Sequence, residues 1–308
     1  MNLWKNLKCP CNRKADLICS GDFIKCGLQD CVHYKKAFQF VNNKPILISS
    51  LTCDTICNPQ NTASNIKRGK GWQKRLISKL QIRDDTSHLN CIKFIEKLDQ
   101  QADPNVLVIG SGEKGSGTDA LWNDKRVTII GVDIYESPTV DILCDAHYLP
   151  FADKYFDGVW IQAVLEHVVD PNSVVSEISR VLKLDGLVYS EIPFMQQIHE
   201  GPYDFSRFTL GGHRFLFREY AEVGSGKLGG PVDDMAWTIK HFVIAMTSSK
   251  VIGKLFELSF RFLFSPVTRF LSRKRKDSYS GSYFLGRRSQ NHNISHVELL
   301  KYYEKDND

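Results

Sequence analysis

Long apolar runs are missing from this sequence. None of its 308 residues belongs to an uninterrupted apolar stretch of membrane-spanning length, which argues against a transmembrane helix. The opening residues, MNLWKNLKCPCNRK, lack the apolar core of a secretory signal, so a cytoplasmic chain is expected. A strong charge of one sign is missing too. With 40 Lys and Arg against 35 Asp and Glu, the net charge is only +5, too mild to point to a nucleic-acid partner. Internal repeats and low-complexity tracts are also absent, and 42% hydrophobic with 24% charged residues is ordinary for a globular protein.

Cysteine is present and unevenly placed. Of nine cysteines, Cys9, Cys11, Cys19, Cys26 and Cys31 fall within the first 31 residues, whereas Cys53, Cys57, Cys91 and Cys144 are scattered. In a reducing compartment such a cluster more often binds metal than forms disulfides. Cys9 with Cys11 and Cys26 with Cys31 form two pincers, and four thiolates satisfy tetrahedral zinc. Cys19 can replace one member of the first pair, His33 is a fifth candidate, and free thiols are the plain alternative.

The stretch from Leu7 to Ser49 resembles the small zinc-ribbon modules fused to, or partnered with, methyltransferases. It has two cysteine knuckles, an aromatic strand and a closing strand at Lys44-Pro45-Ile46-Leu47-Ile48. The resemblance implies a structural zinc, which a unit with so small a core needs as a staple.

Residues 58–84 are largely polar and basic with glycine and read as a linker. Apolar residues at helical spacing from Cys91 to Leu98 predict a helix, stopped at Asp103-Pro104. Val106-Leu107-Val108-Ile109 then reads as a buried strand running into Gly110-x-Gly112-x-x-Gly115. A second strand, 127–132, ends at Asp133, an acid placed to accept hydrogen bonds from ribose hydroxyls. Together these segments describe a nucleoside-binding βαβ unit.

The residues after Asp133 separate the candidate cofactors. Asp145-Ala146-x-x-Leu149-Pro150-Phe151, Phe156-Asp157 before a strand, Leu165-Glu166-His167-Val168, and a helix closing on Arg180-Val181-Leu182 before Gly186 appear in order. The series resembles class I S-adenosylmethionine-dependent methyltransferases of the type 11 small-molecule branch. The resemblance implies that Gly110, Ser111, Gly112 and Gly115 shape the turn at the methionine end. It also implies that Asp133 holds the ribose with Ile134 on the adenine, that Asp145 and Ala146 meet the adenine edge, and that Gln162 sits beneath the sulfonium. His167 lies at the mouth with Glu166. One departure is visible: where the family often has an acid two residues before the first glycine, this chain has Val108.

The segment EIPFMQQIHEGPYDFSRFT, 191–209, resembles a bacterial methyltransferase group with a histidine-bearing loop after the fifth strand, and is expected to form the substrate lid. His199 is the candidate general base, with Glu200 or Asp204 to orient it and Arg207 to hold an anion; Tyr203 completes the set. The alternative is that Tyr203, Asp204 and Arg207 only pin the loop.

Beyond 230 the chain reads as helical. Lys250, Lys254, Glu257 and Arg261 confine charge to one stripe, Pro266 interrupts the pattern, and Arg269 to Lys276 carries five cations. The first expectation is a helical insertion, about 235–276, packed on the sheet or forming a dimer. Peripheral contact of 250–276 with an anionic membrane and nucleic-acid binding are the alternatives. Residues 281–288 read as the last strand.

The expected architecture is α/β: a zinc-ribbon-like module at 1–57, a linker at 58–84, a Rossmann-like mixed sheet flanked by helices at 85–290, and a tail at 291–308. The expected function is methyl transfer from S-adenosylmethionine to an O or N atom of a small molecule, glycan precursor or lipid-linked intermediate. A nicotinamide-dependent oxidoreductase and a non-catalytic module recruiting a partner through the ribbon are the alternatives.

Overall fold

The computed structural model describes residues 6–20, 23–51, 53–58, 60, 85–98, 103–272 and 277–305. Most of the expected linker at 58–84 and the cationic run 273–276 lie outside them. At the N-terminal end, β1 (Lys8–Cys9), β2 (Asn12–Ser20) and β3 (Phe23–Cys26) form a small antiparallel sheet. The short helix α1 (Val32–Lys35) leads into the hairpin β4 (Gln39–Val41) and β5 (Lys44–Ile46), turned at Asn42 and Asn43, both at positive φ.

The hairpin does not stay with the small sheet. Ile46 pairs in parallel with Leu143 of β8 (Ile142–Leu143), so β5 and β4 extend the edge of the large sheet. Leu7, Cys9, Leu17, Ile24 and Cys26 share one apolar core with Ile109, Ile130, Phe151 and Val159. The segment expected as a ribbon strung before the catalytic domain is thus packed into it.

The large sheet is built as the apolar runs predict. The helix α2 (Thr86–Leu98) precedes β6 (Asn105–Ile109), and α3 (Asp119–Asn123) precedes β7 (Thr128–Asp133). After β8 come β9 (Phe156–Gln162), α4 (Pro171–Val181) and β10 (Leu182–Pro193). The chain continues through α5 (Leu210–Leu216), β11 (Tyr220–Leu228), the helices α6 (Pro231–Thr247) and α7 (Lys250–Ser272), β12 (Gly281–Arg288) and α8 (His296–Lys305). The strand order is β11-β12-β10-β9-β6-β7-β8-β5-β4, with β6 to β10 parallel and β12 inserted antiparallel between β10 and β11.

Local chemistry explains the elements that frame the site. In α2, Cys91, Phe94, Ile95 and Leu98 fall on one face and are buried, with Phe94 edge-on to Trp160 of β9 at 5.4 Å. The helix α4 begins where Asp170 Oδ1 accepts from the amides of Asn172 (3.0 Å) and Ser173 (3.2 Å), with Pro171 in the first turn. Val108, where an acid was expected, is buried beside Trp160 and Leu121.

The helices α6 and α7 lie between β11 and β12. The helix α7 lies along α6, with Glu257 and Arg261 of its charged stripe turned inward and Lys250 left exposed. Glu257 is buried, accepting from Lys254 Nζ at 2.8 Å and Arg261 Nε at 3.2 Å, and Arg261 also pairs with Asp233 of α6. Phe256, Phe262 and Leu263 are exposed at 54%, 82% and 71%, so of the two expected arrangements, packing on the sheet or a dimer, the first does not hold for these side chains. The inward acid and cations satisfy one another at close range, leaving the apolar side for the outside.

Candidate functional site

From β6 the sheet is extended one way by β7 and β8 and the other way by β9 and β10, so a crevice opens at the carboxyl ends of β6 and β9. A cavity of about 610 Å³ occupies it, within the range of small-molecule sites.

The glycine turn builds one wall. Gly110 leaves β6 at φ +76°, where a side chain is strained, and a Cβ there would lie 2.2 Å from Val164 Cγ2. At Gly112 a Cβ would fall 2.7 Å from Asp133 Oδ2; without one, the Gly112 amide donates to that oxygen at 2.7 Å. The Ile134 amide donates to Asp133 Oδ1 at 2.7 Å, which fixes the carboxylate at the end of β7. Gly110, Gly115, Asp133 and Ile134 all line the cavity. Ser111 is fully buried, its hydroxyl donating to the Val132 carbonyl at 3.3 Å, so it braces the turn from behind.

The opposite wall carries Asp145 and Ala146. Asp145 caps the short 146–148 turn: its Oδ1 accepts from the His147 amide at 2.9 Å and pairs with His147 Nδ1 at 2.6 Å. Its Oδ2 accepts from the Thr55 hydroxyl. Burial works to raise the Asp145 pKa, but the His147 and Thr55 hydrogen bonds outweigh it and hold the carboxyl below the usual range. Burial likewise opposes charge on His147, yet the Asp145 partner raises its pKa overall.

Beneath the glycine turn runs a buried polar chain. Asn90 Nδ2 donates to the Tyr189 hydroxyl at 3.2 Å, and Tyr189 donates to Glu191 Oε1. Gln162 Nε2 donates to Glu191 Oε2 at 2.7 Å and to the Ser116 carbonyl at 3.1 Å. Gln162, at the end of β9, is therefore held at the cavity wall by groups reaching back to α2.

The lid residues divide into two groups. Glu200, Pro202, Tyr203 and His167 line the cavity, whereas His199, the expected base, and Asp204 and Arg207 are not among the lining residues. Arg207 Nη2 donates to Asp204 Oδ2 at 2.8 Å, Nη1 pairs with Oδ1, and Nε donates to the Gln196 carbonyl at 3.0 Å. This fork and its backbone contacts pin the loop, and the Arg207 hydrogen bonds draw the Asp204 pKa down to about 2. The His199 amide donates to Asp204 Oδ2 at 3.0 Å, and the His199 ring meets that of His167 edge-on at 4.8 Å.

Some residues that shape the site carried no sequence signal of doing so. Ile56 and Cys57, from the N-terminal segment, line the cavity with Cys144. Burial pushes the Cys57 thiol up to about 12. Glu166, expected with His167 at the mouth of the site, is instead fully buried. In the N-terminal segment, sulfurs of Cys9, Cys26 and Cys31 lie within 4.8 Å of one another, with Cys9 and Cys31 at 3.8 Å. Cys11, the fourth expected ligand, is not in that group; its Sγ donates to Ser49 Oγ at 3.3 Å. Cys19 is exposed on β2, and His33 Nε2 is 2.8 Å from Ser49 Oγ.

Residues 107–190 match the family described as a methyltransferase domain. A demethylmenaquinone methyltransferase of Renibacterium salmoninarum is 33% identical over 107 residues, which is 34% of this chain and 40% of that protein. A demethylmenaquinone methyltransferase of Desulfitobacterium hafniense is 26% identical over 134 residues, 42% of this chain and 51% of that protein. The chain thus spans about half, or less, of the curated relatives it matches. Among solved structures, phosphoethanolamine N-methyltransferase 2 of Haemonchus contortus, in complex with S-adenosyl-L-methionine, is similar over 64% of this chain and 52% of that chain, at 16% identity and a TM-score of 0.41. The match to a methyltransferase domain is thus confined to residues 107–190, the segment that runs from the middle of β6 into β10.

Proposed function

We propose that this protein moves a methyl group from S-adenosylmethionine to an O or N atom of a small molecule. The observation that supports the reading is the convergence of the glycine turn, Asp133, Asp145 with Ala146, and Gln162 on one cavity. The residues fit the cofactor. Asp133, already oriented by two amides, is placed for the ribose hydroxyls, and Ile134 offers an apolar face for the adenine. The Ala146 backbone is placed for the adenine edge. The Asp145 carboxylate, held by Thr55 and His147, keeps further acceptor capacity for the exocyclic amine. Gln162 stands where the glycine turn ends, suited to the sulfonium side.

Bound S-adenosylmethionine supplies an electrophilic methyl group, so alignment accounts for much of the rate, and the protein's part is to hold the acceptor in line and exclude water. His167, Glu200 and Tyr203 line the acceptor end, and His199 stands behind His167. Asp204 and Arg207 hold the loop through their ion pair, and Asp204, 3.3 Å from His199 Nδ1, is also placed to orient that ring.

The names of the curated relatives favour a small-molecule acceptor over a macromolecule. The exposed apolar side of α7, followed in sequence by Arg273, Lys274, Arg275 and Lys276, supports an acceptor met at an anionic membrane surface. No helix among the described residues is long and apolar enough to cross a membrane. In the N-terminal segment, Cys9, Cys26 and Cys31 would hold a structural zinc, with Cys11 as the expected fourth ligand.

Calorimetry with S-adenosylhomocysteine and with NADH tests the reading. Binding of the first alone is expected; binding of NADH alone would return the chain to the oxidoreductases.

A further inference from the structure

Behind the acceptor end of the cavity lies a carboxyl group that nothing among the described residues satisfies. Glu166 is fully buried, and neither of its side-chain oxygens has a hydrogen-bond partner among them. A buried acid without a partner costs free energy in either protonation state, because each state loses the hydrogen bonds that water gave it. The fold nonetheless places it with care: the Glu166 carbonyl accepts the amides of Phe205 (2.8 Å) and Ser206 (3.2 Å), tying it to the lid loop.

Two imidazoles converge on the same point. One ligating atom each from Glu166, His167 and His199 lie within 4.8 Å of one another. His167 Nδ1 is 2.7 Å from the Tyr203 carbonyl, a contact that requires the proton on Nδ1 and leaves a lone pair on Nε2. That Nε2 is the atom directed at Glu166, 3.7 Å from Oε1. Fixing the tautomer of a ligating histidine through a carbonyl on its far nitrogen is how metal sites orient their ligands. Asp204, 3.3 Å from His199 Nδ1, stands in the same relation to the second imidazole.

We propose that Glu166, His167 and His199 form a binding site for a divalent transition-metal cation at the acceptor end of the cavity. Two imidazoles and a carboxylate make a borderline set suited to Mn²⁺, Co²⁺ or Zn²⁺, unlike the soft thiol group of Cys9, Cys26 and Cys31. Glu200 and Asp204 add negative charge nearby, and Arg207 offsets part of it. Three protein ligands leave coordination positions open, and His167 places them on the cavity. Resting on the proposed methyl transfer, the cation would take a substrate hydroxyl oxygen as a further ligand and ease loss of its proton to water. The oxygen then forms its bond to the methyl carbon as the carbon–sulfur bond breaks and its electron pair stays on sulfur. The acceptor class this selects is a hydroxyl-bearing small molecule. His167 is then a ligand, and no imidazole base is needed.

Mn²⁺ is the probe, because thiol groups discriminate against it. The full chain is titrated with Mn²⁺ and the signal of the free ion followed by electron paramagnetic resonance, with S-adenosylhomocysteine binding measured separately. One Mn²⁺ per chain is expected, displaced by Zn²⁺ and weakened more than about tenfold in both Glu166→Gln and His199→Ala. Glu166→Gln is isosteric and His199 is partly exposed, so retained S-adenosylhomocysteine binding reports that each variant is folded. Mn²⁺ left free by the wild-type protein, or bound equally by both variants, overturns the site while leaving the methyltransferase reading standing. Mn²⁺ bound as expected without S-adenosylhomocysteine binding would overturn that reading instead.

Discussion

The Thr55 hydroxyl donates to Asp145 Oδ2, so a residue of the N-terminal segment holds a carboxylate on the cavity wall. The segment and the proposed cofactor site meet at that carboxylate. Thr55→Val removes one donor of about 1 kcal/mol and should weaken S-adenosylhomocysteine roughly fivefold in calorimetry. An affinity equal to wild type would show that His147 alone holds Asp145 in place.

Asp133→Ala should weaken S-adenosylhomocysteine by about 1.5 to 3 kcal/mol, on the order of ten- to a hundredfold, since the ribose hydroxyls lose a charged acceptor. Circular dichroism should report an intact fold. Undiminished binding would remove Asp133 from the site.

The purified protein should carry about one zinc per chain, lost in Cys26→Ser. Because Cys9 and Cys26 belong to the same apolar core as Val159 and Phe151, chelation should lower the melting temperature of the whole domain. Melting that is indifferent to chelator, in protein shown to contain zinc, would mean that the segment unfolds alone.

His213 of α5 is buried between Ser190 Oγ and Ser282 Oγ, each 2.9 Å away, and burial lowers its pKa from 6.5 to about 3. The unfolded chain takes up this proton at a higher pH than the folded one. The stability this group contributes is thus complete above pH 6.5 and is lost as pH falls toward about 3, a change on the order of a few kcal/mol. Urea midpoints should fall between pH 7.5 and pH 5, and less so in His213→Gln. Equal pH dependence in both proteins would clear His213 of the effect.

Phe262→Asp should change stability by less than about 0.5 kcal/mol, since its side chain is exposed. If the face meets lipid, the same change should release the protein from anionic liposomes. Neutralising Arg273, Lys274, Arg275 and Lys276 should weaken binding by roughly 1 kcal/mol for each cation, and salt should act likewise. A marked loss of stability in Phe262→Asp would mean that another surface covers it.

The parts legible in the sequence are those set by local rules. An apolar run into glycine marks β6 and its turn, an acid after the next run marks Asp133, and Arg180-Val181-Leu182 before Gly186 marks the close of α4. Residues acting across long separations were not legible. Nothing near Thr55 signals Asp145, and the spacing of Lys250, Lys254, Glu257 and Arg261 reveals a stripe without saying which way it faces. Glu166 shows the same limit. Its motif can be read, but its burial depends on the lid loop closing over it.

The pairing of Ile46 with Leu143 has a consequence for synthesis on the ribosome. The hairpin β4–β5 emerges early, yet the edge it needs is translated about 100 residues later, and the turn at Asn42 and Asn43 must hold it in shape meanwhile. Until then its strand edge is open to other nascent chains. An early metal ion on Cys9, Cys26 and Cys31 would act during that interval as a chaperone internal to the chain, keeping the first strands compact until the sheet arrives.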